Sequence, residues 1–312
     1  MKKQKIKSSR IKLCGSDLAL QIITTVLLVF ILLLVAYPVI YIISSSLSSA
    51  TAIDAGRVTL WPMVKGEGYN YHIGISTAGY RFVFQYKNIW IGYRNTLIYT
   101  VVGTTLNIFM SIICAYPLSK SNFQGRRAYM NLFFFSMLFG AGLIPHYLWY
   151  KELGLINNPL VIILPGALGV YNMIILRTAF KTSIPNELFE AAKIDGANEF
   201  RSLFRIAVPL AKPTISVITL YYAVGHWNAY FTAMIYLDDY KLWPLQLFLR
   251  GILTAADFTM SDVEKGVSDL ISDGTVGAKY ALIVVSTVPV LILYAIVQKY
   301  FKKGVMVGAV KG

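Results

Sequence analysis

Charged residues divide the chain into long apolar runs. Between Arg94 and Lys120 lie 25 residues without Asp, Glu, Lys or Arg; the intervals Arg127–Lys151, Glu152–Arg177, Lys212–Asp238 and Lys279–Lys299 enclose 23, 24, 25 and 19. The longest run lies between Asp17 and Asp54. A helix crossing a bilayer needs about 20 predominantly apolar residues, so each interval holds one span. The pattern predicts six: Leu20–Ile43, Thr96–Pro117, Tyr129–Leu148, Pro159–Leu176, Ile215–Ile235 and Tyr280–Gln298. The first exceeds the roughly 7–15 apolar residues of a secretory signal and has no small-x-small cleavage site close behind it.

Composition agrees. The chain is 56% hydrophobic and 14% charged, against roughly 45–50% and 25% for soluble domains. The net charge of +14 changes meaning once it is placed on the spans. With both termini on one side, that side receives 19 of the 29 basic residues and five of the 15 acids, so the whole excess lies there. Basic loops mark the cytoplasmic face. The charge is a topology signal, and nucleic acid is not needed to explain it. The tail Lys2–Lys12 also suits anionic lipid.

Chemistry inside the spans is sparse. None contains Lys, Arg, Asp or Glu, which counts against a proton- or ion-coupled pump. His146 and His226 are lone histidines without a carboxylate partner in sequence, and read as structural; His72 sits in an outer loop. Cys14 and Cys114 lack metal or disulfide spacing and read as ordinary small residues. No metal site is expected. No Gly-x4-Gly-Lys-Ser/Thr loop is present, so ATP would have to be bound elsewhere.

The cytoplasmic loop 183–212 is amphipathic. Pro185 suits a first helical position, Leu188, Ala191 and Ala192 share one face, and Asp195-Gly196 stops the helix because glycine accepts the left-handed conformation. A second helix is expected from Ala197 to about Ile206, closed by Pro209 and Pro213. The spacing Glu190-Ala191-Ala192-x3-Gly196-x9-Ile206-x2-Pro209 resembles the EAA loop of ABC-importer permeases, with Val208 where that family has Leu. The tail Gly308-Ala-Val-Lys311-Gly312 is similar to that of oligosaccharide permeases like the smaller permease of the maltose transporter. The run Tyr221–Phe231 and Trp243–Leu247 resembles the LplC/YtcP-like branch of that carbohydrate family.

That resemblance implies an all-α integral membrane protein with six transmembrane helices in the type I ABC-importer permease fold. Its parts are a basic tail 1–19, a permease domain 20–300 with outer loops 44–94 and 238–279, and a cytoplasmic tail 301–312. It also implies a bacterial cytoplasmic membrane location with both termini cytoplasmic, and no catalysis or cofactor in this chain. ATP and Mg belong to a partner. The implied partners are a second homologous permease as heterodimer, two ABC ATPase subunits, an extracytoplasmic binding protein and a sugar. Glu187, Glu190, Ala191, Ala192, Asp195, Gly196, Ile206 and Pro209 would meet the ATPase. Gly308, Lys311 and Gly312 would reach between the two ATPase subunits. The outer loop 238–279, acidic and glycine-punctuated, suits a mobile segment meeting the binding protein.

Sugars present hydroxyls and apolar ring faces, which match neutral polar groups beside aromatic rings. Tyr221, Gly225, Asn228 and Thr232 fall on one helical face of span five, with Tyr171 and Asn172 on span four; Trp227 is a further candidate for this path, or a packing residue. A role as helix–helix glue stays open for all of them. Other classes stay open too. A peptide or amino-acid importer would share the EAA loop. A secondary carrier would need inverted repeats or intramembrane charges, and a membrane enzyme would need paired acids or histidine clusters; neither pattern is visible.

Overall fold

The computed structural model describes residues 15–68, 70–254 and 276–309, and falls into two units, Met1–Thr77 and Ala78–Gly312. The first unit begins with α1 (Gly15–Ser46), whose apolar side chains are exposed along nearly the whole helix. A helix so apolar on every side belongs in lipid. Serines close its C-terminal end. Ser44 Oγ donates to the Leu60 carbonyl at 2.6 Å, and the Met63 N–H donates to Ser48 Oγ at 3.0 Å. Beyond this collar lie α2 (Ala50–Asp54) and an antiparallel hairpin of β1 (Met63–Lys65) and β2 (Tyr71–Ile73), with Val64 opposite His72. The loop 44–94 therefore also contains strand. Val64, Tyr71 and Ile73 are strand formers placed on either side of a glycine-bearing turn.

The second unit is organised around α4 (Lys87–Ser119), which follows the short α3 (Ala78–Gln85). It starts nine residues before the expected span and carries Lys87 and Arg94 near its N-terminal end. The expected third span is two helices, α5 (Arg126–Leu138) and α6 (Leu143–Glu152), bent by 110° at the glycines between them. The fourth is also broken, into α7 (Leu160–Ile163) and α8 (Val170–Ser183). Among the described residues, three helices are long and apolar enough to cross unbroken: α1, α4 and the helix closing the chain. The count reaches five if each bent pair is one span. Six regular spans are thus not what the backbone displays; charge-free runs report polarity and are blind to breaks.

After α8 come α9 (Asn186–Ile194), α10 (Glu199–Ser202), a wide π turn Leu203–Ala207 and α11 (Val208–Leu210). The chain then bends 82° into α12 (Lys212–Trp227), followed by α13 (Phe231–Tyr236) and α14 (Leu245–Thr254). The helix α15 (Val276–Ala309) closes the chain. It runs unbroken past residue 300. Gly308 lies on it, and Lys311 and Gly312 fall outside the described residues.

Three apolar clusters fix these elements around α4. Met173, Leu176, Phe180 and Ile218 are buried beside Ile112 and Ala115. Val83 and Ile89 meet Leu245 and Leu282, and Tyr99 meets Val161 and Ala233. Between lipid-facing helices the drive is close packing and hydrogen bonding, since lipid is as apolar as leucine. The described N-terminal part of the loop 238–279 is strapped down. Asn95 Nδ2 donates to the Lys241 and Trp243 carbonyls at 2.7 and 3.0 Å, and Leu245 N–H to Thr96 Oγ1 at 2.8 Å. Residues 255–275 of that loop lie outside the described residues.

Candidate coupling hairpin and solute path

The hairpin 186–210 is built from local chemistry. Pro185 sits at the N-cap of α9, one residue earlier than expected, with extended ψ of 140°. Glu187 lies in the first turn and Lys193 in the last, each matching the helix dipole. The end is a Schellman closure: Ala197 N–H donates to the Ala192 carbonyl at 2.8 Å and Gly196 N–H to the Lys193 carbonyl at 3.1 Å. Gly196 has φ +76°, and a Cβ there would meet nothing within 4 Å. Asn198 caps the second helix by accepting from Arg201 N–H at 2.8 Å.

The second helix runs farther than expected, from Glu199 to Leu210. Pro209 lies within it rather than closing it. Lacking an N–H, Pro209 cannot bond the Arg205 carbonyl, and the ladder widens into the π turn just before it. Glu187, Glu190, Ala191, Asp195, Gly196 and Pro209 are exposed; Ile206 is half-buried. The face expected to unite Leu188, Ala191 and Ala192 is split. Leu188 and Ala191 point outward, while Ala192 is buried.

What holds the hairpin is the C-terminal end of α4, which the sequence did not single out. Tyr116 Oη donates to Glu199 Oε2 at 2.8 Å, and the Phe189 ring meets the Tyr116 ring edge-on at 6.1 Å. Lys120 Nζ lies 3.0 Å from the Phe189 ring centroid. Burial lowers the Lys120 ammonium below its ordinary pKa, with the Glu199 carboxylate opposing that shift. A cleft of ≈ 580 Å³ opens beside this contact, lined by Ile113, Pro117, Phe123, Glu199, Phe200 and Leu203. Eighty-three residues separate Tyr116 from Glu199, so no local pattern could have paired them.

The residues expected along a solute path lie on or beside α8, α12 and α13. Tyr221, Gly225 and Asn228 are exposed and Thr232 is half-buried, but they do not share one continuous helix. The helix α12 ends at Trp227, Asn228 is its cap, and Thr232 belongs to α13 beyond the break. Trp227 is not on the open face at all. It is 5% exposed, donates Nε1–H to the Ser286 carbonyl at 3.0 Å, and packs edge-on against Tyr93. On the facing segment Tyr171 is exposed and Asn172 half-buried, both in the first turn of α8. His226 Nε2 lies 2.6 Å from Asn107 Oδ1. Gly103 permits that approach, because a Cβ there would come within 2.5 Å of the imidazole.

Comparison with known proteins adds three findings. Residues 89–307 match the family described as binding-protein-dependent transport system inner membrane component. The chain is 38% identical to the polygalacturonan/rhamnogalacturonan transport system permease protein YtcP of Bacillus subtilis (strain 168), over 92% of this chain and 96% of that protein. Its fold matches, at a TM-score of 0.79 and 34% identity, a chain from the crystal structure of a bacterial ABC transporter involved in the import of the acidic polysaccharide alginate. That match covers 93% of this chain and 99% of that one.

Proposed function

Because the chain belongs to the family of binding-protein-dependent transport system inner membrane components, we propose that it is one permease subunit of an ATP-driven importer that admits an oligosaccharide. Acidic, uronate-bearing chains are the first candidates. One relative is named for polygalacturonan and rhamnogalacturonan, and the matching structure imports an acidic polysaccharide. In this reading a second permease, two cytoplasmic ATPase subunits and an extracytoplasmic binding protein complete the assembly. ATP and Mg belong to the ATPase, and this chain contributes movement.

The observation that carries the reading is the exposed hairpin of α9 to α11, lying inside the family match. Its small outward face at Ala191 and Gly196 suits a close fit in a partner's groove. It is continuous with α8 and α12, and it is gripped by Tyr116 of α4, so a push on it reaches three membrane helices. Exposed tyrosines and Asn228 then offer ring faces and neutral hydrogen-bonding groups to a sugar.

The test is uptake into proteoliposomes holding the assembled transporter, its binding protein and internal ATP. Labelled oligogalacturonides, alginate oligosaccharides, neutral maltooligosaccharides and peptides are compared. Uptake of an acidic oligosaccharide that needs both ATP and binding protein is expected. Uptake of peptide alone would place the chain with permeases of another solute class.

A further inference from the structure

The break in span four is held in place from behind. Leu164, Pro165 and Gly166 are exposed, and a Cβ built on Gly166 would meet nothing within 4 Å. By sequence, Gly166 lies near the middle of the run 159–176, as Asn107 does of 96–117. Irregular backbone at that depth cannot face lipid, where its free peptide groups would find no partner. It is tolerated against protein or along a water-filled cavity.

Two side chains secure it. Asn107 is 1% exposed; its Nδ2 donates to the Gly166 carbonyl, and its Oδ1 accepts from His226 Nε2 at 2.6 Å. The amide can serve both only with the imidazole proton on Nε2. Four residues on, along the same face of α4, Ser111 Oγ bonds Tyr222 Oη at 2.8 Å, and Tyr222 Oη accepts from the Gly169 N–H at 3.1 Å. The middle and the C-terminal end of the unwound turn are thereby tied to α4 and α12. Next to His226 stands Gly225, also exposed and with nothing within 4 Å of an added Cβ. One buried amide thus bonds both the unwound turn and the residue beside the helical Gly225.

We propose that the exposed turn Leu164–Gly166 forms one wall of the solute path together with Gly225, and that Asn107 and Tyr222, which hold Gly166 and Gly169, are its positioning residues. The identity of the solute rests on the oligosaccharide reading above; the aqueous wall does not. Peptide carbonyls and N–H groups are neutral partners for hydroxyls, and no side chain narrows the path at either glycine.

The experiment uses the assembled transporter in proteoliposomes, with Cys14 and Cys114 replaced by serine and the substitution Gly166→Cys. A water-soluble thiol reagent is expected to modify it at a rate that depends on nucleotide state, and acidic oligosaccharide with binding protein should slow the reaction. Adding Asn107→Ala should shift the labelling rate about tenfold, the scale of losing a pair of neutral hydrogen bonds. On the otherwise unmodified transporter, Asn107→Ala should raise KM for uptake more than it lowers the maximal rate. A thiol at 166 that never reacts would show the turn sealed against protein or lipid and overturn the proposal. So would an Asn107→Ala variant that loses assembly and maximal rate with KM unchanged, which is the behaviour of a structural bolt. Should that variant not accumulate, Tyr222→Phe, which deletes one hydroxyl, decides by the same split. Labelling without protection by any oligosaccharide would leave the wall standing and remove the oligosaccharide reading instead.

Discussion

At the scale of single residues, the positions legible in sequence are those whose behaviour is set by neighbours along the chain. Gly196 is one. An Asp-Gly pair ahead of a second amphipathic stretch demands a left-handed residue, and the structure gives it φ +76°. Gly196→Val puts a β-branched side chain into that conformation at a cost of about 1–2 kcal/mol. Its Cβ meets nothing, so strain rather than collision acts. Binding-protein-stimulated ATPase and uptake should fall together while membrane insertion persists. Gly196→Asn should recover most of both, because asparagine tolerates the left-handed region. Unchanged stimulation in the valine variant would remove the hairpin from coupling. Asn228 and Trp227, adjacent in sequence, should separate in their effects. Asn228→Ala removes a neutral hydrogen-bonding group worth about 0.5–1.5 kcal/mol, and should lower uptake several-fold, whereas Met234→Ala should do little. Trp227→Ala empties a buried site and should cost about 3–5 kcal/mol of stability, read as a lower unfolding temperature. Sequence spacing left Trp227 open between the two roles. Its burial depends on Ser286 and Tyr93, which no local rule brings to it.

Among elements, the hairpin and the long helices follow from periodicity, caps and runs of apolar residues, and their breaks do not. Pro165-Gly166 and the Gly140–Gly142 stretch were available signals, since such residues punctuate helices. Counting charge-free intervals passes over them. The grip of α4 on the hairpin was beyond any such signal. Tyr116→Phe removes one hydrogen bond to a carboxylate, about 1.5–3 kcal/mol when dry, and less here because Glu199 is exposed. Stimulated ATPase should drop about two- to fivefold with insertion intact. Glu199→Gln, whose amide oxygen still accepts, should stay close to the unaltered protein. Wild-type turnover in Tyr116→Phe would mean that α4 packs against the hairpin without transmitting its movement.

For the whole molecule, the charge asymmetry predicts an orientation that labelling from one side can check. Lys193→Cys should react with a membrane-impermeant thiol reagent from the cytoplasmic side alone and Glu152→Cys from the outer side alone, each in a background without Cys14 and Cys114; the reverse pattern would invert the topology. The sequence by itself determined the solvent of this protein, its family and the spacing of the hairpin loop proposed for coupling. Apolar runs, basic loops and the spacing from Glu190 to Pro209 are all properties of consecutive residues, and bilayer thickness and helix geometry act on them directly. Tertiary structure decided which spans are broken, that Trp227 is buried, and that Asn107, Ser111 and Tyr116 each tie α4 to a segment far along the chain. Those outcomes rest on hydrogen bonds between residues 59 to 111 positions apart. In a bilayer such bonds form because buried polar groups must find partners inside the protein, and only the folded packing says which partners are in reach.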